Sequence, residues 1–202
     1  MTKKGVLTIV PVEEPLEKGP SEKKVKHARE ILAFDEDDLE GTIQPHDDTL
    51  VVTARVNSFL VKRVMIDQGS GANVMYPDLF KGLRLKNQDL SKYNMPLDGF
   101  DGGVVILEGQ IALPMNMEGK EVMVTYIVVN AFSSYTIIIG RPWIHAMGAV
   151  SSTLHIKVKF PTEQGIAVAK GSQQAARQCL GAAVDWKNKQ DKQKETNEEA
   201  SS

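Results

Sequence analysis

Cysteine is all but missing from this chain of 202 residues. Cys179 stands alone, so no internal disulfide can form and no cysteine-based zinc site can be built. Such sparse use suits a reducing, intracellular and cytoplasmic setting. An excess of one charge is lacking as well. The formal net charge of -2 gives no general pull toward nucleic acid or an anionic membrane surface. No apolar run approaches the roughly 20 residues a membrane span requires. Residues 1–10 lack the apolar core of a signal peptide. His27, His46, His145 and His155 are scattered, with no pair at ligand spacing. No Gly-x-x-x-x-Gly-Lys-Ser/Thr loop, Gly-x-Gly-x-x-Gly fingerprint or Gly-x-Ser-x-Gly elbow occurs. The expectation is therefore a chain with no metal, no cofactor and no membrane partner. The lysines of residues 187–194 are diluted by Asp185, Asp191 and Glu195, which argues against a nucleic-acid partner.

What is present falls into three zones. Residues 1–44 are polar and charge-dense, broken by Pro11, Pro15 and Pro20, and read as a largely disordered connector. Within them residues 23–33 have a short helical pattern, and the acidic run Asp35-Glu36-Asp37-Asp38 reads as a solvated stretch without chemistry. Residues 181–202 are rich in lysine, glutamate and glutamine and read as a disordered or fraying helical tail. Between them, residues 45–180 hold the material for a folded domain.

That middle zone is β-rich. Residues 50–56 and 59–66 read as strands joined by a tight turn at Asn57-Ser58. Residues 73–75 resume a strand, and 77–83 suggest a helical turn opened by Pro77. Residues 104–117 read as a bending ribbon, 122–129 as a central strand, and 135–139 as a short apolar strand that stops at Gly140. One or two helical turns are expected over 141–147. Residues 153–160 alternate strictly and read as a strand with one wet face. Many short strands with few helices indicate an all-β barrel or sandwich.

The chemically informative segment is Val64-Met65-Ile66-Asp67-Gln68-Gly69-Ser70-Gly71-Ala72. An apolar strand runs into an aspartate, and small residues after it let backbone amides and a hydroxyl crowd around the carboxylate. Such a carboxylate is placed for acid/base work on water. No internal repeat supplies a second one.

Ile66-Asp67-Gln68-Gly69-Ser70-Gly71-Ala72 resembles the Asp-Thr/Ser-Gly active-site turn of aspartic proteases. The later Ile137-Ile138-Ile139-Gly140-Arg141-Pro142-Trp143 is similar to the apolar-Gly-Arg segment near the end of retroviral-type proteases, the retropepsins. With Pro142-Trp143 and the upstream Pro45-His46-Asp47-Asp48, the chain looks most like protease regions of plant gypsy-type retrotransposon polyproteins. The resemblance implies a single-lobe closed barrel with one short C-terminal helix, acting as an aspartic endopeptidase on junctions of its own polyprotein. Two carboxylates are needed for that chemistry, and only Asp67 has the right context. The second is therefore expected from Asp67 of another copy, in a symmetric homodimer that binds an extended polypeptide.

The resemblance also distributes roles. Asp67 is the general base and acid, Gly69 gives close backbone approach, Ser70 bonds the outer carboxylate oxygen, and Gly71 and Ala72 complete the turn. Phe100, Asp101, Gly102 and Gly103 are the expected tip of a flap over the substrate. Ile139, Gly140 and Arg141 are structural, near the dimer core, with the arginine pairing acidic groups. Gln68 departs from the family, whose Thr or Ser hydroxyl ties the two turns together across the dimer. Gln68 is expected in that clasp. An alternative reading is an inactive barrel retained for dimerisation or peptide binding.

Overall fold

The computed structural model describes residues 31–93 and 106–199, the last six of these as backbone only. Its strands are β1 (Val51–Val56), β2 (Phe59–Ile66) and β3 (Asn73–Met75), followed by helix α1 (Pro77–Gly82). Then come β4 (Leu107–Met117), β5 (Lys120–Val129), β6 (Ile137–Ile139) and helix α2 (Arg141–Met147). A second group comprises β7 (Val150–Ser152), β8 (Lys157–Thr162), β9 (Gly165–Lys170) and the long helix α3 (Gln173–Glu199).

Six strands close into a barrel in the order β1-β2-β6-β3-β5-β4, and β4 returns to pair with β1. The β1–β2 hairpin turns at Asn57, whose φ of 52° suits a tight reversal. β4 and β5 form the longest ladder, with Met117 opposite Lys120 at its turn. The short β6 lies parallel to β2 on one side and antiparallel to β3 on the other. Its three isoleucines are β-branched and apolar without alternation, as a strand covered on both sides requires. Ile137 and Ile139 are fully buried, as are Val56, Val64, Met75 and Tyr126. Each aliphatic side chain removed from water in this way contributes about 1.5–3 kcal/mol.

Helix α2 begins after Gly140 with Pro142 in its first turn and ends at Gly148 in the left-handed region. It buries Trp143, Ile144 and Met147 against the barrel. The sheet β7-β8-β9 shares that core through Val158, Phe160 and Ala169. The strand pattern left an all-β barrel or sandwich open, and the closed barrel with a short helix after its last barrel strand is what the resemblance implied.

One local expectation fails. The strand expected over 153–160 begins only at Lys157, because residues 153–156 form a turn in which Ile156 adopts a φ of 51°. The strict apolar alternation is then broken: Ile156, Lys157 and Val158 are all buried. The polar tail is helical in its described part, α3 running unbroken to Glu199. Ala176 and Cys179 bury its first turns, Cys179 donating to the Ser134 carbonyl, and Trp186 stacks on Phe132 at 4.7 Å.

The acidic run also has more to do than solvation. Asp35 caps a short 3-10 helix over Glu36–Leu39. Asp38 then pairs with Lys159 at 2.6 Å and Lys157 at 3.5 Å, both on β8. The Lys159 hydrogen bond holds the Asp38 carboxyl down at about 2, with further help from the Asp35 backbone and the Lys157 charge, against partial desolvation. Phe34 stacks on His155, and Thr42, Gln44 and His46 bond to carbonyls of Leu154 and His155. Residues 31–46 therefore lie as a strap along the second sheet. Of the helical pattern at 23–33, only 31–33 are described, and they are not helical.

Candidate active site

Parallel pairing of β2 with β6 puts Ile66 beside Ile139, so the two strands end together. Asp67 follows one and Gly140 the other. The Asp67 amide donates to the Ile139 carbonyl at 2.8 Å, which carries the ladder one step into the turn. The carboxylate leaves the buried core at a half-buried position. Its Oδ1 accepts the Gly69 amide at 2.8 Å, while the Ser70 amide donates back to the Asp67 carbonyl at 3.2 Å. A Cβ on residue 69 would stand 3.1 Å from that same Oδ1, so glycine allows the turn to close on the acid.

Ser70 is placed differently from the sequence expectation. Its hydroxyl donates to the Ala72 carbonyl at 2.8 Å and braces the turn from behind instead of bonding the carboxylate. Within its own chain the Arg141 guanidinium donates to the carbonyls of Gly69 at 2.8 Å and Gln68 at 3.2 Å, two backbone groups of the turn. Gly71 leaves room for it, since a Cβ there would lie 3.2 Å from the guanidinium. The Arg141 amide completes the join by donating to the Ser70 carbonyl at 3.0 Å. Thus Asp67, Gln68, Gly69, Ser70, Gly71, Ala72, Ile139, Gly140 and Arg141 form one contiguous unit. Phe100, Asp101, Gly102 and Gly103, the expected flap, lie outside the described residues.

Two residues of this unit escaped the sequence reading. Asn73 is buried, and its Oδ1 accepts the Gly140 amide at 3.0 Å while its Nδ2 donates to the Thr125 carbonyl at 3.1 Å. An amide side chain can satisfy a donor and an acceptor at once, which is why one fits between two backbones. Its signal was a polar residue opening an otherwise apolar strand. Ser151 is the second: Gln68 Nε2 donates to its carbonyl at 2.9 Å. Nothing in the sequence marks a contact across 83 positions.

A cavity of about 300 Å³ lies behind the turn, lined by Gly71, Ala72, Asn73, Thr125, Pro142 and Trp143. Asp67 does not line it, so the cavity is not where the acid would act. Among the described residues no group of three His, Cys, Asp or Glu side chains is arranged to hold a metal ion. Nor is any described helix long and apolar enough to cross a membrane. What the site can do chemically is present a partly exposed carboxylate, one oxygen held by a backbone amide, on a turn braced by Arg141, Ser151 and the Ser70 hydroxyl.

No sequence family matches the chain, and no curated protein does. Solved structures do. The retroviral protease-like domain of Ddi1 from Leishmania major matches with a TM-score of 0.51 at 17% identity, over 63% of this chain and 96% of that one. The EIAV protease complexed with the inhibitor HBY-793 matches at 0.44 and 17%, over 55% and 98%. A retropepsin-like aspartic protease from Rickettsia conorii matches at 0.41 and 15%, over 59% and 80%. The fold is therefore retropepsin-like, on the strength of the Leishmania domain.

Proposed function

We propose that the chain is an aspartic endopeptidase that works as a homodimer. The observation that carries this is the Asp67 turn: a carboxylate at the end of a barrel strand, bonded by the Gly69 amide and joined to the Gly140-Arg141 corner, in a retropepsin-like fold. With one such acid among the described residues of each chain, the reaction is half-equipped. Two Asp67 carboxylates brought together cannot both ionise comfortably, so the pair holds one proton. The ionised member takes a proton from water as the oxygen bonds to the scissile carbonyl carbon. The protonated member gives its proton to the carbonyl oxygen, forming a tetrahedral diol. Its collapse breaks the C–N bond, the amine leaves with a proton, and a new carboxyl end remains. The substrate is an extended polypeptide, and by the sequence resemblance the junctions of a retrotransposon polyprotein.

The test is cleavage of a random peptide library by the full chain. Asp67→Asn is expected to lower turnover by a factor of about 10³ or more while the protein still folds and dimerises. Full activity in that variant would overturn the assignment.

A second reading has one observation in its favour. Gln68 offers no hydroxyl, and its amide is engaged with Ser151 of its own chain. On this reading the barrel dimerises or holds extended peptides without cutting them. Peptide binding with no cleavage at any pH from acid to neutral would select it.

A further inference from the structure

The proposed reaction gives the Gln68 side chain no proton to move, yet its amide is hydrogen-bonded within the chain. Gln68 is exposed, where ordering a long amide side chain costs rotamer entropy comparable to what one hydrogen bond returns. Here its Nε2 meets two acceptors on one residue, the Ser151 carbonyl at 2.9 Å and the Ser151 hydroxyl. A backbone carbonyl can only accept, so the amide nitrogen must face it, whichever way the amide would otherwise turn. The Gln68 backbone carbonyl meanwhile accepts from the Arg141 guanidinium at 3.2 Å. β7, which carries Ser151, is an outer strand of its sheet, and such strands present carbonyls to side-chain donors.

We infer that Gln68 and Ser151 form a clasp within one chain that positions the aspartate turn against β7. The clasp holds the residue after the acid from the solvent side, while Asn73, Gly140 and Arg141 hold the turn from beneath. The sequence expectation placed Gln68 between two subunits; the clasp places its work inside one. The turn is then ordered before any partner arrives. Ser151 touches no reacting atom and is a positioning residue. The inference rests on the endopeptidase reading only where activity is measured.

The experiment compares the full chain with Gln68→Ala, Ser151→Ala, the double variant and Gln68→Glu, by amide hydrogen exchange, dimer dissociation constant and kinetics. Exchange at Gly69 and Ser70 is expected to speed up in Gln68→Ala, with the dissociation constant unchanged. kcat is expected to fall about five- to tenfold at constant KM. Ser151→Ala loses less, because its backbone carbonyl remains, and the double variant is no worse than Gln68→Ala. Gln68→Glu regains turnover only below about pH 4, where the neutral acid has a proton to donate. Unchanged exchange, a weakened dimer in Gln68→Ala, or losses that simply add in the double variant would each overturn the clasp. If the wild-type chain cleaves nothing, the endopeptidase reading fails by itself, and the exchange and dissociation measurements still decide the clasp.

Discussion

Gly140 and Ser70 approach so closely that position 140 has no room for a side chain. A Cβ there would stand 2.6 Å from the Ser70 carbonyl oxygen and would collide with the Ala72 carbonyl oxygen as well. Both obstacles are backbone, and backbone in a turn braced by Arg141 and Asn73 has nowhere to retreat. Strand β6 and the aspartate turn are thus in contact through bare main chain, which is how a residue 73 positions downstream of Asp67 governs the acid's placement.

Gly140→Ala is accordingly expected to destabilise the fold by about 1–3 kcal/mol or more, the range for forcing extra atoms into a filled site. Denaturant unfolding monitored at Trp143 and Trp186 measures it. Peptide cleavage should fall further than the stability loss explains, because the carbonyls that must shift belong to the turn carrying Asp67. A variant of wild-type stability and activity would show that the turn is not so confined.

Stability should also depend on pH through Asp38. Its folded carboxyl lies at about 2, below the ordinary 3.8, chiefly because Lys159 donates to it. A group held down in this way stabilises the folded chain fully above 3.8, and that contribution disappears as pH falls toward 2. The melting temperature of the wild type should exceed that of Asp38→Asn near neutral pH, with the gap closing between about pH 4 and pH 2. A gap that stays constant through that window would mean the strap of residues 31–46 does not depend on this ion pair.

Tyr126 lies fully buried on β5, and its hydroxyl has no hydrogen-bond partner among the described residues. Burial raises its pKa, so it stays neutral. A buried hydroxyl that bonds nothing costs stability, so Tyr126→Phe is expected to be neutral or stabilising by up to about 1 kcal/mol. Thermal unfolding checks this. A clear loss of stability would reveal that the hydroxyl is engaged.

Much of this architecture can be read from residues alone where local pattern and tertiary environment agree. The β1–β2 hairpin, the strand that ends at Asp67 and helix α2 from Arg141 to Met147 are visible because apolar runs stop at glycine or turn residues. The pattern misled where one backbone angle overrode it. A β-branched Ile156 at positive φ looks like part of a strand until its neighbours are seen to turn. Helix α3 has no apolar periodicity beyond Trp186, and that stretch rests on good helix formers such as Gln, Lys and Glu. The site divides in the same way. Asp67 and Gly140 announce themselves in sequence, whereas the engagement of Gln68 by Ser151 and of Gly140 by Asn73 exists only after folding.

The central claim is that two chains jointly make one catalytic centre, and subunit mixing tests it most directly. Wild-type chain and Asp67→Asn chain, exchanged to equilibrium in equal amounts at fixed total concentration, are compared with wild type alone in peptide cleavage. If both carboxylates are required, only dimers of two wild-type chains cut, and activity should fall to about one quarter. A fall to one half, with activity linear in the wild-type fraction, would mean that each chain acts alone and would contradict the account.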